Sequence, residues 1–202
     1  MESKERHLIK QYLILFIFFL FISGCAQKIS TVDYIYPDWK TRLDQQTQWQ
    51  VQGKMAFIST EQRQSANLNW QHDERNSDMV LTSFIGTRIL SLQQNPQGAV
   101  LEYDGDTYTD QDASRLLYRL TGFSIPLDNA AKWLKGTAQN EQASFDEQGR
   151  LKTLLWQAEN GQQWQITYAN YRKQDGYWLP EKLTLKNQHI RIKIQLNDWQ
   201  LH

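Results

Sequence analysis

The sequence has one cysteine, and of its 202 residues only ten are glycine and four are proline. A lone cysteine cannot form an internal disulfide, so no disulfide framework is expected. The scarcity of glycine and proline argues against long disordered linkers. An excess of charge of one sign is also lacking, because Lys+Arg and Asp+Glu both number 22. This balance gives no reason to predict a nucleic-acid partner.

Motifs for catalysis are lacking as well. The sequence contains no Gly-x-Ser-x-Gly elbow, no His-Glu-x-x-His pair and no nucleotide-binding loop. After the first 24 residues the histidines are His72, His189 and His202, which are too scattered to resemble a metal site. We therefore expect neither an enzyme nor a resident cofactor or metal.

A single long apolar run, Leu13–Ile22, follows a basic segment at residues 4–10. The run is too short to span a bilayer comfortably. A basic segment, an apolar run and then small residues are typical of a secretory signal peptide. We therefore predict a signal peptide over residues 1–24, a lipidated tether over 25–38 and one domain over 39–202.

The cysteine, Cys25, directly follows Ser23 and Gly24, an order that resembles the lipobox of bacterial lipoproteins. In a lipobox the thiol receives a diacylglycerol, the preceding peptide is cut, and the new amine is acylated. More than one acyl chain would hold the domain stably at a bilayer. Two alternatives stay open, an ordinary cleavage site near Cys25 or an uncleaved anchor. Ala26, where a lipoprotein retained in the inner membrane would have Asp, points to the outer membrane, with the domain facing the periplasm.

Alternation of apolar and polar residues dominates the rest of the chain. Over Trp49–Phe57 and Ile190–Leu196 it predicts antiparallel strands with one dry and one wet face. Many strands joined by tight turns indicate a sandwich or a barrel. The shorter strand candidates are Ala66–Gln71, Met79–Ser83, Arg88–Gln93, Ala99–Tyr103, Leu151–Gln157, Gln163–Ala169 and Glu181–Lys186.

Two helices are predicted in the middle of the chain, Asp110–Thr121 and Asp128–Lys135, and a short one over Tyr36–Thr47. Asp110 or Asp112 could cap the start of the first of these helices. A sheet this long must curl, because its twist accumulates and its edges need protection. The pair of helices could cover the concave face of that curl. We therefore predict a mainly β fold with a few helices, a half-open barrel made of a single curved antiparallel sheet with a helical lid. The lid candidates are Leu116, Leu117, Leu120, Trp133 and Leu134.

Alternation also assigns side chains to the concave face of the sheet. These residues could form the wall of a ligand cavity or fill an ordinary core, and spacing alone does not separate the two. The same choice applies to the eight tryptophans, all of which follow the cysteine. The wall candidates are Trp49, Val51, Met55, Phe57, Leu68, Trp70, Trp164, Ile166, Ile192 and Ile194.

One turn carries apolar residues where a solvated turn would be polar. Phe84 and Ile85 come directly before Gly86, which favours a hairpin turn. The two side chains either fold back into the core or form an exposed apolar tip that touches lipid or a partner.

Several short stretches occur in a characteristic order: Trp49–Ala56, Ser83–Thr87, Ile125–Leu127, Trp133–Gly136 and Tyr177–Pro180, with the final alternating strand. Together with the lipobox, these stretches resemble the LolB family of outer-membrane lipoproteins. The resemblance covers about residues 39–201 and implies an unclosed antiparallel β-barrel, made of a single curved sheet, with a helical lid over a hydrophobic cavity. In the family an apolar residue, usually leucine, precedes the glycine of a protruding loop, and here Ile85 holds that position.

The resemblance implies a receptor that accepts lipoproteins from the periplasmic carrier LolA and inserts them into the outer membrane. Its partners would be LolA, acylated lipoprotein cargo and outer-membrane phospholipid, and the chain would be a monomer. Phe84, Ile85 and Gly86 would form the membrane-delivery loop. Two alternatives are an envelope lipoprotein that binds free lipid or glycolipid, and a structural scaffold lipoprotein with a filled barrel.

Overall fold

The computed structural model describes residues 34–121, 127–138, 140, 142–158 and 161–202. The predicted signal peptide, Cys25 and most of the predicted tether lie outside the described residues. Ile125 and Pro126, two of the residues that carry the family resemblance, lie outside them as well.

A single sheet of eleven strands forms the body of the described chain, and every neighbouring pair of strands is antiparallel. Its order is β6-β5-β4-β3-β2-β1-β11-β10-β9-β8-β7, so β6 and β7 are the two edges and the sheet is not closed. The strands are β1 (Gln48–Ile58), β2 (Arg63–Asp73), β3 (Asn76–Thr82), β4 (Arg88–Asn95), β5 (Gly98–Tyr103), β6 (Asp106–Asp110), β7 (Ala143–Phe145), β8 (Leu151–Gln157), β9 (Gln163–Gln174), β10 (Tyr177–Lys186) and β11 (Arg191–Leu201).

Three helices accompany the sheet in the described part of the chain: α1 (Trp39–Asp44), α2 (Ala113–Thr121) and α3 (Leu127–Lys135). Helices α2 and α3 belong to the connection between the edge strands β6 and β7, and they pack against the sheet. At the start of α2, the carboxylate of Asp112 accepts a 2.7 Å hydrogen bond from the backbone N–H of Ser114. This N-cap agrees with the sequence prediction and satisfies one of the free amides of the first turn.

The structure confirms the predicted fold class, and most strands lie where alternation placed them. Two strands were missed, β6 and β7, and they are the edges of the sheet. Both are short, and an edge strand has one neighbour only, so neither shows the repeated burial that makes alternation visible. Residues at the start of the predicted helix Asp110–Thr121 belong to β6 and its turn, because Asp110 pairs with Ala99 of β5.

A β-bulge in β11 lies at the centre of the sheet. Gln52 and Gly53 of β1 pair with Asp198 and Leu196, so Asn197 of β11 is the extra residue. A Cβ atom at Gly53 would collide with the backbone carbonyl of Gln195, so only glycine fits where the two strands approach each other. Bulges of this kind increase the local twist of the strand that carries them.

Aromatic side chains fill the end of the barrel where β1 begins. The ring of Trp49 lies 5.7 Å from that of Trp70 and 5.8 Å from that of Trp199, and it stacks on His72 at 5.4 Å. Trp49 and Trp199 are almost completely buried. This end is therefore packed as a core, and open space is found elsewhere along the inner face.

The chain joins the barrel before the predicted boundary at residue 39. The backbone N–H of Tyr36 donates a 3.0 Å hydrogen bond to the carbonyl of Gly176, and its ring packs on Tyr177 at 5.5 Å. The residues next to α1 are thus fixed to the β9–β10 hairpin.

Candidate functional site

A cavity of about 670 Å³ lies between the inner face of the sheet and the two helices α2 and α3. Its volume falls within the range of about 300–1,000 Å³ that is common for small-molecule sites. Aliphatic and aromatic side chains make up most of its wall. The cavity can therefore remove a long apolar group from water.

Half of the predicted wall residues line this cavity. They come from β2 and from the halves of β1 and β11 that lie nearest to the β1–β2 and β10–β11 hairpins. The wall candidates that line the cavity are Met55, Phe57, Trp70, Ile192 and Ile194. The other wall candidates, Trp49, Val51, Leu68, Trp164 and Ile166, lie in the packed core and do not line it.

The two groups of wall candidates differ in how closely other side chains approach them across the interior of the barrel. Trp49 and Val51 point to the same face as Met55, but they lie at the end of β1 where three tryptophans already fill the space. Alternation gives the face of a residue and not the depth to which the opposite wall approaches it. Core and cavity residues thus share one sequence pattern.

Four of the five lid candidates contact the cavity. Leu117 and Leu120 of α2 and Trp133 and Leu134 of α3 line it. Leu116 is buried as well, with 1% of its surface exposed, but it does not line the cavity. The helices thus form a roof over the inner face of the sheet.

Sequence reasoning did not select several other lining residues. The alternation of apolar and polar residues could have identified most of them, because they lie on the inner face of strands that this alternation predicts. Leu127 and Ala130 instead come from α3. The missed apolar residues are Met79, Leu81, Ile89, Leu90, Tyr103, Leu127, Ala130, Leu183 and Leu185.

Polar residues line the cavity at its mouth. The β1–β2 hairpin contributes residues 59–62, the inward-facing Gln64 follows in β2, and His189 comes from the β10–β11 hairpin. Glu61 and His189 are exposed to solvent. A ligand with an apolar tail and a polar head would therefore find matching surroundings at both of its ends.

Lys135, the last residue of α3, fixes the roof to α1. Its ammonium group is buried and donates hydrogen bonds of 3.1, 3.1 and 3.0 Å to the carbonyl oxygens of Leu43, Asp44 and Gln46. Burial lowers the pKa of Lys135, while the nearby carboxylate of Asp44 raises it. The Thr137 hydroxyl donates a further bond of 2.8 Å to that carboxylate. Positive charge at the C-terminal end of α1 complements the helix dipole.

Two tyrosines of β9, the buried Tyr168 and the half-buried Tyr171, connect this strand to α3 and to β8. The Tyr168 hydroxyl donates a 2.8 Å hydrogen bond to the carbonyl of Trp133, and the Tyr171 hydroxyl donates one of 2.9 Å to the carbonyl of Leu151. Burial raises the pKa of both phenols, and the Asp146 carboxylate raises that of Tyr171 further. Both groups stay protonated and act as hydrogen-bond donors at neutral pH.

The turn between β3 and β4 places both of its apolar side chains in solvent. Phe84 is 92% exposed and Ile85 is 73% exposed. The backbone is well ordered by hydrogen bonds, since the N–H groups of Gly86 and Ser83 donate to the carbonyls of Ser83 and Thr87. Gly86 has a positive φ of 88°, as a three-residue hairpin loop requires. The loop therefore holds two apolar side chains outside the core.

Within the described ranges, no helix is long and apolar enough to cross a membrane. The described residues also contain no group of three or more His, Cys, Asp and Glu side chains that could hold a metal ion. An unclosed barrel with an apolar cavity under helices is typical of a binding protein for apolar ligands.

Known proteins are similar to this chain in fold and in sequence. A LolA superfamily protein of Nitrosomonas europaea superposes with a TM-score of 0.54 over 83% of this chain and 88% of its own, at 10% identity, which is a likeness of fold alone. The outer-membrane lipoprotein LolB of Pseudoalteromonas translucida is 56% identical over the full length of both chains. That of Aeromonas hydrophila is 37% identical over 89% of this chain and 91% of its own.

The model of the family described as outer membrane lipoprotein LolB matches residues 47–199. The chain therefore belongs to the LolB family of outer-membrane lipoproteins. Family and fold together favour a lipoprotein receptor over a binder of free lipid or a scaffold with a filled barrel.

Proposed function

We propose that this chain accepts lipoproteins from the periplasmic carrier LolA and inserts them into the outer membrane. The observation that carries the proposal is the cavity of about 670 Å³ between sheet and helices, apolar within and polar at its mouth. Acyl chains of a lipoprotein would enter the cavity, and the protein part of the cargo would remain outside.

The need for such a cavity follows from the hydrophobic effect. Each methylene group that leaves water gains about 0.8 kcal/mol, so long acyl chains do not cross an aqueous space unprotected. The sequence contains no nucleotide-binding loop. Transfer would then run downhill in free energy from the carrier to this chain and from this chain to the bilayer.

The exposed tip of the β3–β4 turn would act in the last step. Phe84 and Ile85 are large apolar side chains held in solvent by a turn with its own hydrogen bonds. Their insertion among lipid tails would bring the cavity mouth to the membrane surface. The lipid groups on Cys25 would keep the domain at that membrane throughout.

A transfer assay tests the proposal. Purified LolA loaded with a lipoprotein is mixed with this protein, and the cargo bound to each is measured after separation. The expected result is movement of the lipoprotein from LolA to this protein without added nucleotide. If the protein takes up free phospholipid or glycolipid but leaves the lipoprotein on LolA, it is a lipid binder. If it takes up neither, nor a fluorescent apolar probe, the scaffold alternative is supported.

A further inference from the structure

On the three central strands β1, β11 and β10, the half of the outer face nearest the cavity mouth is strongly basic. Side chains that alternate with the cavity wall point outward there, and the strand registers align them in rows across the sheet. The row nearest the cavity mouth contains Arg63, Ile58, Arg191 and Lys186. The next row contains Lys193 between Ala56 and Thr184, and the third contains Lys54 and Lys182 on either side of Gln195. We call these six cations, Lys54, Arg63, Lys182, Lys186, Arg191 and Lys193, the basic face.

The basic face has no matching negative charge. All six side chains are exposed, and none of them forms an ion pair with another described residue. The three rows contain no Asp or Glu between β2 and β9. Elsewhere in the described chain, exposed arginines such as Arg88 and Arg42 pair with carboxylates.

Overall composition does not explain this cluster, since the chain as a whole has a formal net charge of zero. Neighbouring strands lie about 4.8 Å apart, so the cations of adjacent strands are well within a Debye length of about 10 Å. Like charges at this spacing repel each other. An arrangement of this kind is favourable when a partner of opposite charge covers it.

The basic face adjoins the apolar tip of the β3–β4 turn. One groove of about 530 Å³ on the outer side of the sheet is lined by Lys54, Lys182, Lys193 and Phe84 together. The side-chain amide of Asn67 holds the turn in this place with a 2.9 Å hydrogen bond to the carbonyl of Ser83. The cations and the exposed ring of Phe84 therefore share one continuous surface.

We propose that the basic face is a membrane-contact surface that binds the phosphate groups of anionic phospholipids while Phe84 and Ile85 enter the apolar layer. A surface that offers cations next to an apolar tip matches a bilayer, which presents phosphate groups next to hydrocarbon. An acidic protein would match the cations but would leave the exposed tip unexplained. The choice of a membrane as partner rests on the proposed function.

The arrangement would also orient the barrel. The row of Arg63, Arg191 and Lys186 lies beside the β1–β2 and β10–β11 hairpins, and the same hairpins form the polar mouth of the cavity. Binding of lipid phosphates along this row would hold the mouth close to the membrane surface. Acyl groups at the single position Cys25 would keep the domain near the bilayer but would not by themselves decide which face of the barrel meets it.

Vesicle binding tests the proposal without any cargo. The full secreted chain carrying Cys25→Ala is mixed with phosphatidylcholine vesicles that contain or lack phosphatidylglycerol, and the bound fraction is measured by sedimentation. Each cation near an anionic surface strengthens binding roughly fivefold. We expect at least about tenfold tighter binding to the anionic vesicles at low salt, which declines as salt is raised.

The decisive comparison uses two double variants with the same change in net charge. Lys182→Glu with Lys193→Glu reverses charges on the basic face, and Lys132→Glu with Arg75→Glu reverses exposed charges elsewhere. The first should lose at least about tenfold in binding to anionic vesicles, and the second should bind nearly as the parent does. Neutral Lys54→Gln with Lys186→Gln, a milder change, should give an intermediate loss. Thermal unfolding checks that each variant is folded.

Three results would overturn the proposal. The first is equal binding of the parent to both kinds of vesicle, and the second is an equal loss of vesicle binding in both charge-reversed variants. The third is normal vesicle binding by the Lys182→Glu, Lys193→Glu variant together with a loss of its lipoprotein uptake from LolA. The last result would make the basic face a docking surface for the carrier. Failure of the parent to accept any lipoprotein would instead contradict the proposed function and would leave the vesicle result standing.

Discussion

The ammonium group of Lys135 donates a hydrogen bond of 3.1 Å to the carbonyl oxygen of Leu43, and so the end of the roof helix α3 closes the end of α1. The carbonyls of Asp44 and Gln46 accept bonds from the same group. One side chain thus donates to three backbone acceptors near a helix end, and the carbonyl of Leu43 also accepts a bond from the N–H of Gln46.

Replacing Lys135 by methionine should therefore destabilise the protein. Methionine keeps most of the volume but removes the donor of three hydrogen bonds, which we expect to lower the free energy of unfolding by about 2–3 kcal/mol. Urea unfolding measures the change. Lys132→Met, on the exposed side of the same helix, is the matched control and should change stability little. Equal losses in the two variants would show that the bonds of Lys135 contribute nothing specific.

The two buried phenols predict how stability depends on alkaline pH. Because the folded state raises the pKa of Tyr168 and Tyr171, their contribution is complete below the ordinary tyrosine value of about 10 and is lost as pH rises above it. Replacing both by phenylalanine should lower stability at neutral pH by about 1–3 kcal/mol, since two hydrogen bonds are removed. Urea unfolding at a series of pH values should show a shallower alkaline decline for this variant than for the parent. Parallel declines would contradict the assignment.

Filling the cavity should weaken binding of apolar ligands. Met55 is half-buried and lines the cavity, so Met55→Trp puts a larger ring into the space that a ligand would occupy. Loss of room for about two methylene groups corresponds to roughly tenfold weaker binding of a fluorescent apolar probe. Thr167→Trp on the outer side of β9 adds the same ring without touching the cavity and should bind the probe normally. Unchanged binding by the Met55 variant would place the ligand elsewhere.

A charge at the exposed tip of the β3–β4 turn should impair delivery of cargo to the membrane but not acceptance of cargo from LolA. Ile85→Glu changes a side chain that is 73% exposed, so folding and uptake of lipoprotein from LolA should be largely intact. Delivery into vesicles should fall by about ten- to hundredfold, because the apolar contact of the tip with lipid is replaced by a charge. Thr87→Glu adds the same charge to the same exposed turn and should deliver nearly as the parent does. Normal delivery by Ile85→Glu would remove the tip from the mechanism.

The last prediction separates the role of the predicted lipid anchor, which is to hold the domain at the membrane, from the role of the cavity, which is to take up cargo. A secreted variant with Cys25→Ala lacks the residue that we predict to be acylated but keeps every residue that lines the cavity. It should therefore accept lipoprotein from LolA at the rate of the parent in the transfer assay. Failure of this soluble form to accept cargo would mean that the anchor takes part in uptake itself.

Local pattern was enough to predict most elements of the sheet. In β1 the side-chain period of two is regular, and in β11 it holds on each side of the bulge at Asn197, because each strand has one face against the interior and one in water. The cap of α2 was predictable for a similar reason, since Asp112 acts on an amide two residues away. The edge strands β6 and β7 were missed because short strands with one neighbour carry little pattern of this kind.

The division between cavity and core was not predictable in the same way. Val51 and Met55 lie on the same face of β1, yet the first is fully buried in the core and the second lines the cavity. What separates them is the distance to side chains that come from remote parts of the chain. Lys135 gives another example, because its sequence neighbours indicate a helix end and not the three carbonyls some 90 residues earlier.

The sequence by itself determined that this chain forms an antiparallel sheet with a short helical pair, because periodicity and capping are local properties of the backbone. It also carried the stretches that match the LolB family. Tertiary structure alone decided where the sheet leaves a cavity, that Phe84 and Ile85 stay in solvent, and that six cations from three strands and the end of a fourth share one surface. Each of these depends on the register between strands and on the curl of the sheet, which bring together residues that are distant in sequence.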